Sequence, residues 1–178
     1  MKKLLTFLVA FLIVALVHEG THALIAAAYG ELAAFQVHPY GFEVIFKTPV
    51  AQRQGIQWGF ISGTSSVLTV LLGYLLLLFV KPIANMKNTF LSAVGYWLIM
   101  MFLVLDPLNL SVGPFLYGGD IGGIVAGFGI NQYVVQFLAF IIFLINRELV
   151  AQILLPAYGI KTDHPLFKPW IKHVGSVS

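Results

Sequence analysis

Residues 4–29 read LLTFLVAFLIVALVHEGTHALIAAAY. As an α-helix rising about 1.5 Å per residue, this stretch spans roughly 39 Å, more than a hydrocarbon core of about 30 Å. It therefore reads as a membrane-crossing helix with some tilt. Inside it stands His18-Glu19-Gly20-Thr21-His22. Ionisable groups at that depth are costly and usually belong to a function. Positions i and i+4 share a helix face, so His18 and His22 point the same way. That spacing suits two imidazole ligands on one zinc ion, with Glu19 free as a general base. The pair falls past the midpoint of the span, toward its C-terminal end.

Composition agrees with a membrane setting. The chain has 178 residues, 59% hydrophobic and only 10% charged, whereas soluble domains carry about a quarter charged. No segment reads as a separate soluble domain, so residues 1–178 are expected to form one membrane-embedded bundle, an integral multi-pass protein of the cell membrane. With no cysteine, disulfides and thiolate metal sites are excluded. The net charge is +3, with cations at the ends of apolar segments and no run suited to nucleic acid. The N-terminus also fits a secretory signal peptide: Lys2 and Lys3, an apolar stretch, then Ala26-Ala27-Ala28. Cleavage there would discard the chemically loaded segment, and the apolar run resumes after His22, so the span reading is adopted.

Four spans are expected, at 4–29, 58–80, 89–105 and 133–155. The second should stop at Lys81-Pro82 and the third before Asp106-Pro107, because proline ends helices. Residues 30–57 form a β connection. Phe35-Gln36-Val37 and Phe42-Glu43-Val44-Ile45-Phe46 read as strands around a turn at His38-Pro39-Tyr40-Gly41. Residues 106–132 are rich in glycine, proline and asparagine yet nearly uncharged. Irregular backbone at membrane depth survives only inside protein or beside a wet cavity. A re-entrant loop around Gly118-Gly119-Asp120 is expected, followed by a short helix over 121–130. The fold class is thus α-helical and polytopic, with a short β-hairpin and a re-entrant loop. Counting crossings puts the His18–His22 half of span one and this loop at the same face.

Catalytic zinc commonly takes three protein ligands and a water. The third must be His, Asp or Glu. Asp120 is preferred, because flanking glycines permit close backbone approach. Asp106 is the rival, although Asp-Pro is also a common turn starter. Glu31, Glu43 and His38 are weaker candidates. Zinc there would bring the pKa of a water toward 7, and Glu19 would accept its proton. Asn109, in the same loop, could donate to the oxyanion of a tetrahedral intermediate, or simply cap the loop.

These features together resemble the site-2 protease family of intramembrane zinc metalloproteases. The family's HExxH falls on His18, Glu19 and His22. Its second motif, Asn then Pro then Asp-Gly, falls in order on Asn109, Pro114 and Asp120. Its small-residue helix opening is similar to Ser62-Gly63-Thr64-Ser65-Ser66. The likeness runs from Leu4 to Gln132. Three departures stand beside it: Ile121 replaces the usual glycine, the Asn-to-Asp stretch is longer, and Gly20-Thr21 fills HExxH unusually. The resemblance implies a bound Zn2+, cleavage of transmembrane protein substrates within the lipid bilayer, and an edge strand that holds unwound substrate.

Plainer readings apply elsewhere. Gly59 and Gly63, with the serines after them, suit close helix packing. Tyr96, Trp97 and Trp170 read as packing or interfacial residues, His164 and His173 as solvated tail residues, and Arg147-Glu148 as an interfacial pair with a snorkelling arginine. Two other functions stay open on sequence alone. One is a non-proteolytic relative that binds membrane proteins. The other is a small transporter or channel subunit with buried ionisable groups. Orientation is also open. Lys2, Lys3, Lys81, Lys87, Arg147, Lys161, Lys168 and Lys172 share one face, against Lys47 and Arg53 on the other. The positive-inside rule puts the first group in the cytoplasm and the zinc site nearer the outer face; the family resemblance implies the reverse.

Overall fold

The computed structural model describes residues 2–39 and 41–171. The chain runs α1 (Lys2–Ala28), β1 (Leu32–His38), β2 (Gly41–Phe46), α2 (Ile56–Leu78), α3 (Val80–Ala84), α4 (Thr89–Val112), α5 (Ile121–Phe128), α6 (Gln132–Leu149), and then a π-helical stretch (Val150–Leu154) that leads into α7 (Leu155–Ala157). Four helical segments are long and apolar enough to cross a membrane: Lys3–Ala28, Ile56–Leu78, Thr89–Phe115 and Gln132–Ala157. Their outer faces carry large exposed apolar side chains such as Leu8, Leu12, Leu71, Phe137 and Ile141. In water that surface would be unstable, whereas in lipid it needs no cover.

The helices meet through small and polar residues. Ser62, Ser65, Ser66, Thr69, Ser92 and Asn146 are all buried. Helices in lipid gain little from apolar contact and associate by close approach and hydrogen bonding instead. The tightest contact joins α2 to α5. A Cβ on Gly127 would lie 1.9 Å from the Gly59 nitrogen, and one on Gly123 1.9 Å from Ser62 Oγ. The packing role read for Gly59 and Gly63 therefore holds, and α5 can lie this close only because it too carries glycine.

The hairpin forms where alternation and turn residues placed it. β1 and β2 pair antiparallel from Leu32↔Phe46 to His38↔Gly41, with an irregularity between Leu32 and Ala34. The sheet lies against α1. Phe46 packs edge-on to Trp58 at 5.5 Å, beside Ala26 and Ile61. A single 3-10 turn, Val50–Gln52, then leads into α2.

The second span ends at Leu78, close to the expected stop, and a break at Phe79 separates it from the short helix α3, which holds Lys81 and Pro82. Pro82 sits in the first turn of α3, where a missing N–H costs nothing. One proline-based boundary is corrected: span three does not end before Asp106-Pro107. Helix α4 continues through Pro107 to Val112. Proline deprives the carbonyl four residues back, Leu103, of its usual donor. Asn146 Nδ2 of α6 fills that gap at 2.7 Å from Leu103 O, while its Oδ1 accepts from Tyr74 at 2.6 Å. The irregular segment is accordingly shorter than expected, from Gly113 to Asp120, and α5 ends at Gly129 in the left-handed conformation.

Arg147 is corrected as well. It does not snorkel, being only 4% exposed. Its guanidinium donates to the carbonyls of Leu166 (2.6 Å), Pro165 (2.9 Å) and Lys168, pairs with Glu148, and lies 4.0 Å from the Trp170 ring. Glu148 in turn accepts from the backbone of Trp170 and Ile171. The pair ties the tail to the end of α6. His164 is exposed, as read, and His173 lies outside the described residues.

Candidate metal centre

Helix α1 brings His18 and His22 one turn apart, with ring centroids 4.7 Å apart. Each imidazole is held at Nδ1. His22 Nδ1 lies 2.6 Å from the Ile61 carbonyl of α2. A carbonyl only accepts, so Nδ1 carries the proton and Nε2 offers its lone pair. His18 Nδ1 faces the Asp106 carboxylate of α4, at 3.1 Å from Oδ1 and 3.3 Å from Oδ2. Thr69 of α2 donates to the same carboxylate. Carboxylate or carbonyl at one nitrogen with a ligand at the other is the usual arrangement of metal-binding histidines.

Asp120 completes the cluster from the opposite side. Gly119 has φ +57°, a left-handed conformation that a side chain rarely adopts. This bend delivers Asp120 to the start of α5, where its side chain makes no capping bond. Instead Oδ2 lies 3.1 Å from His18 Nε2, and Oδ1 lies 3.2 Å from His22 Nε2. The two Nε2 atoms are themselves 3.1 Å apart. Ser65 Oγ approaches His22 Nε2 at 3.0 Å.

The donor set fits one small cation. Ligands about 2.0–2.1 Å from a tetrahedral zinc stand roughly 3.3 Å from one another. The three separations here are close to that value. Two imidazole lone pairs and a carboxylate, converging at such distances, repel unless a positive charge lies among them. Among the described residues, His18, His22 and Asp120 are the group whose ligand atoms could hold a metal ion.

A cavity of 380 Å³ opens on this cluster, lined by Glu19, His22, Asp120, Ser62, Phe46 and Arg53, with Gly118, Gly119, Gly122 and Gly123 leaving its floor free of side chains. Glu19 thus reaches the same space as the candidate ligands without duplicating their role. Arg53 is the one Lys or Arg in that lining. Burial lowers its pKa from the usual value, and the charge of Glu31 opposes the shift. A larger cavity, 630 Å³, lies between α2, α4, α5 and α6, lined by residues such as Gly63, Val67, Leu110, Phe128 and Leu138. Among the described residues no carboxylate or imidazole lines it, so the candidate acid–base and metal-ligating groups face the smaller one.

The sequence-based candidates fall out unevenly. His18, His22 and Asp120 come together, and Glu19 shares their cavity. Asp106 is not a turn starter; it is buried inside α4 and holds His18. Asn109 is corrected in placement. It lies on α4 and not in the loop, because α4 passes Pro107. It is absent from the cavity lining, and its Oδ1 accepts from the Tyr117 hydroxyl, so it reaches the site through the loop it pins. Glu43 pairs with His38 across the hairpin at 2.9 Å, and Glu31 accepts from Thr48 at 2.7 Å. Ser65, Thr69 and Arg53 were not anticipated. The only trace of Ser65 in the sequence was the small-residue run. No family model, curated protein or solved structure matches this chain.

Proposed function

We propose that the protein is an intramembrane zinc metalloprotease of the site-2 protease type, hydrolysing peptide bonds in or near transmembrane segments of other proteins. The observation that carries the reading is the convergence of His18 Nε2, His22 Nε2 and the Asp120 carboxylate within 3.1–3.2 Å of one another, beside Glu19 in one cavity. When bound, zinc supplies Lewis acidity, which acidifies a water and polarises a carbonyl.

The remaining work belongs to the chain. His18, His22 and Asp120 hold the metal. Asp106 and the Ile61 carbonyl keep the proton of each imidazole on Nδ1, so both Nε2 atoms stay available. The Glu19 carboxylate takes a proton from the attacking water and returns it to the departing amine nitrogen. Asn109 and Tyr117 hold the loop that presents Asp120. The glycine floor leaves space for an extended peptide backbone, which a membrane helix exposes only after local unwinding. The hairpin offers an edge for strand addition to such a segment.

The deciding experiment combines metal analysis with cleavage of a model transmembrane substrate. Wild type is expected to hold about one zinc per chain. Glu19→Gln should keep the zinc and lose cleavage, because an amide cannot accept the water proton. A wild-type protein without zinc would point to a proton or cation pathway, and zinc-loaded Glu19→Gln with undiminished function would point to a binding protein.

A further inference from the structure

Arg53 sits between the 3-10 turn and α2, with its guanidinium carbon 4.6 Å from the Phe46 ring centroid and 4.5 Å from that of Trp58. Its Nε donates to the Thr48 carbonyl at 3.3 Å. The two terminal amino groups make no hydrogen bond or ion pair among the described residues. The nearby Glu31 carboxylate accepts from the Thr48 hydroxyl at 2.7 Å and forms no ion pair with Arg53. Two aromatic rings and one backbone bond therefore fix the plane of a half-buried guanidinium whose fork stays open, on the wall of the cavity that holds Glu19 and Asp120.

Such a fork matches a carboxylate through two parallel hydrogen bonds. A guanidinium kept partly out of water, with Glu31 near but not bonded to its fork, gains from a ligand that brings a carboxylate into hydrogen-bonding contact. We infer that Arg53 makes the metal-site cavity a receptor for a peptide carboxylate, supplied by the chain end of a peptide or by an Asp or Glu side chain within it. The choice of peptide rests on the protease reading.

The test uses three fluorescent apolar heptapeptides and full-length, zinc-loaded protein in detergent, in the Glu19→Gln background so that no turnover interferes. The first peptide has a free C-terminal carboxylate and no acidic residue. The second is the same peptide amidated, and the third is amidated with one internal glutamate. Fluorescence anisotropy is expected to show the first or the third binding at least about tenfold tighter than the second. Whichever carries the preference identifies the source of the carboxylate. Arg53→Met keeps a long apolar side chain between Phe46 and Trp58 and should bring all three peptides to within about twofold. Arg53→Lys, which keeps the charge but not the fork, should retain only part of the preference. Equal binding of the three peptides by the Arg53 protein, no binding of any of them, or a preference that survives Arg53→Met or is complete in Arg53→Lys would overturn the inference. A protein that never cleaves yet shows the preference loses the protease reading and keeps this one. One that cleaves but binds acid and amide alike does the opposite.

Discussion

His18 Nδ1 and the Asp106 carboxylate meet at 3.1 Å, joining positions 88 residues apart in the chain. The contact turns the other nitrogen of His18 toward Asp120. In the proposed zinc site Asp106 would therefore act through an imidazole, whereas Asp120 would touch the metal itself.

That division gives a ranking. Asp106→Asn should weaken zinc binding about 10- to 100-fold, the usual cost of losing a partner behind a metal-bound histidine. Asp120→Ala should weaken it further, and His18→Ala or His22→Ala should remove most of the zinc. Competition with a chelator of known affinity reads all four variants. A larger loss at Asp106 than at Asp120 would exchange their roles.

The approach of α5 to α2 leaves no room for a methyl group at position 127 or at position 123. A Cβ at position 127 would meet backbone atoms of Trp58 and Gly59, which cannot rotate away. Gly127→Ala should push α5 outward, carrying Asp120 with it. The expected result is a loss of zinc affinity with Glu19, His18 and His22 untouched. Gly122→Ala is the control, since a Cβ there meets nothing within 4 Å. Equal zinc affinity in the two variants would show that α5 does not position the ligand.

Asn146 and Pro107 should be energetically coupled. Asn146→Ala strips the Leu103 carbonyl of its donor and Tyr74 of its acceptor. The cost is expected at about 0.6–2 kcal/mol, the range for hydrogen bonds between membrane helices. Pro107→Ala restores a backbone N–H for Leu103, so Asn146→Ala should cost less in that background. A double-mutant cycle of unfolding in detergent measures the difference. Strict additivity would mean that the side chain does not compensate for the proline.

Four crossings place Lys87 and Gln52 at opposite ends of α2. Single cysteines at the two positions should react with an impermeant reagent from opposite sides of the membrane. By the charge distribution, position 87 faces the cytoplasm and position 52 the outside. Labelling of both from one side would remove a crossing. External labelling at 87 alone would keep the fold and reverse its orientation.

Much of the molecule is local in origin, and that part was legible in the sequence. The 26-residue apolar segment, the i, i+4 histidines and the hairpin alternation each depend on neighbours within a few positions. Asp120 could be picked out because its flanking glycines announce an unusual backbone, later seen at Gly119. The continuation of α4 past Pro107 could not be read this way. A proline normally ends a helix, and the exception was decided by a side-chain amide 43 residues downstream of the orphaned carbonyl. The same holds for Asp106, Ser65, Thr69 and Arg53, whose partners lie on other elements and leave no periodic trace. Arg147 looked like an interfacial cation because charge on a membrane helix usually seeks water, and only the folded tail supplied carbonyls enough to bury it. Sequence alone supplied the pair of histidines on one helix face, the carboxylates that could join them, and the segments that prefer lipid, since these are properties of side chains and short-range geometry. Tertiary structure decided which carboxylate meets both Nε2 atoms and which one holds His18 from behind, because that depends on how helices far apart in the chain satisfy each other's buried polar groups.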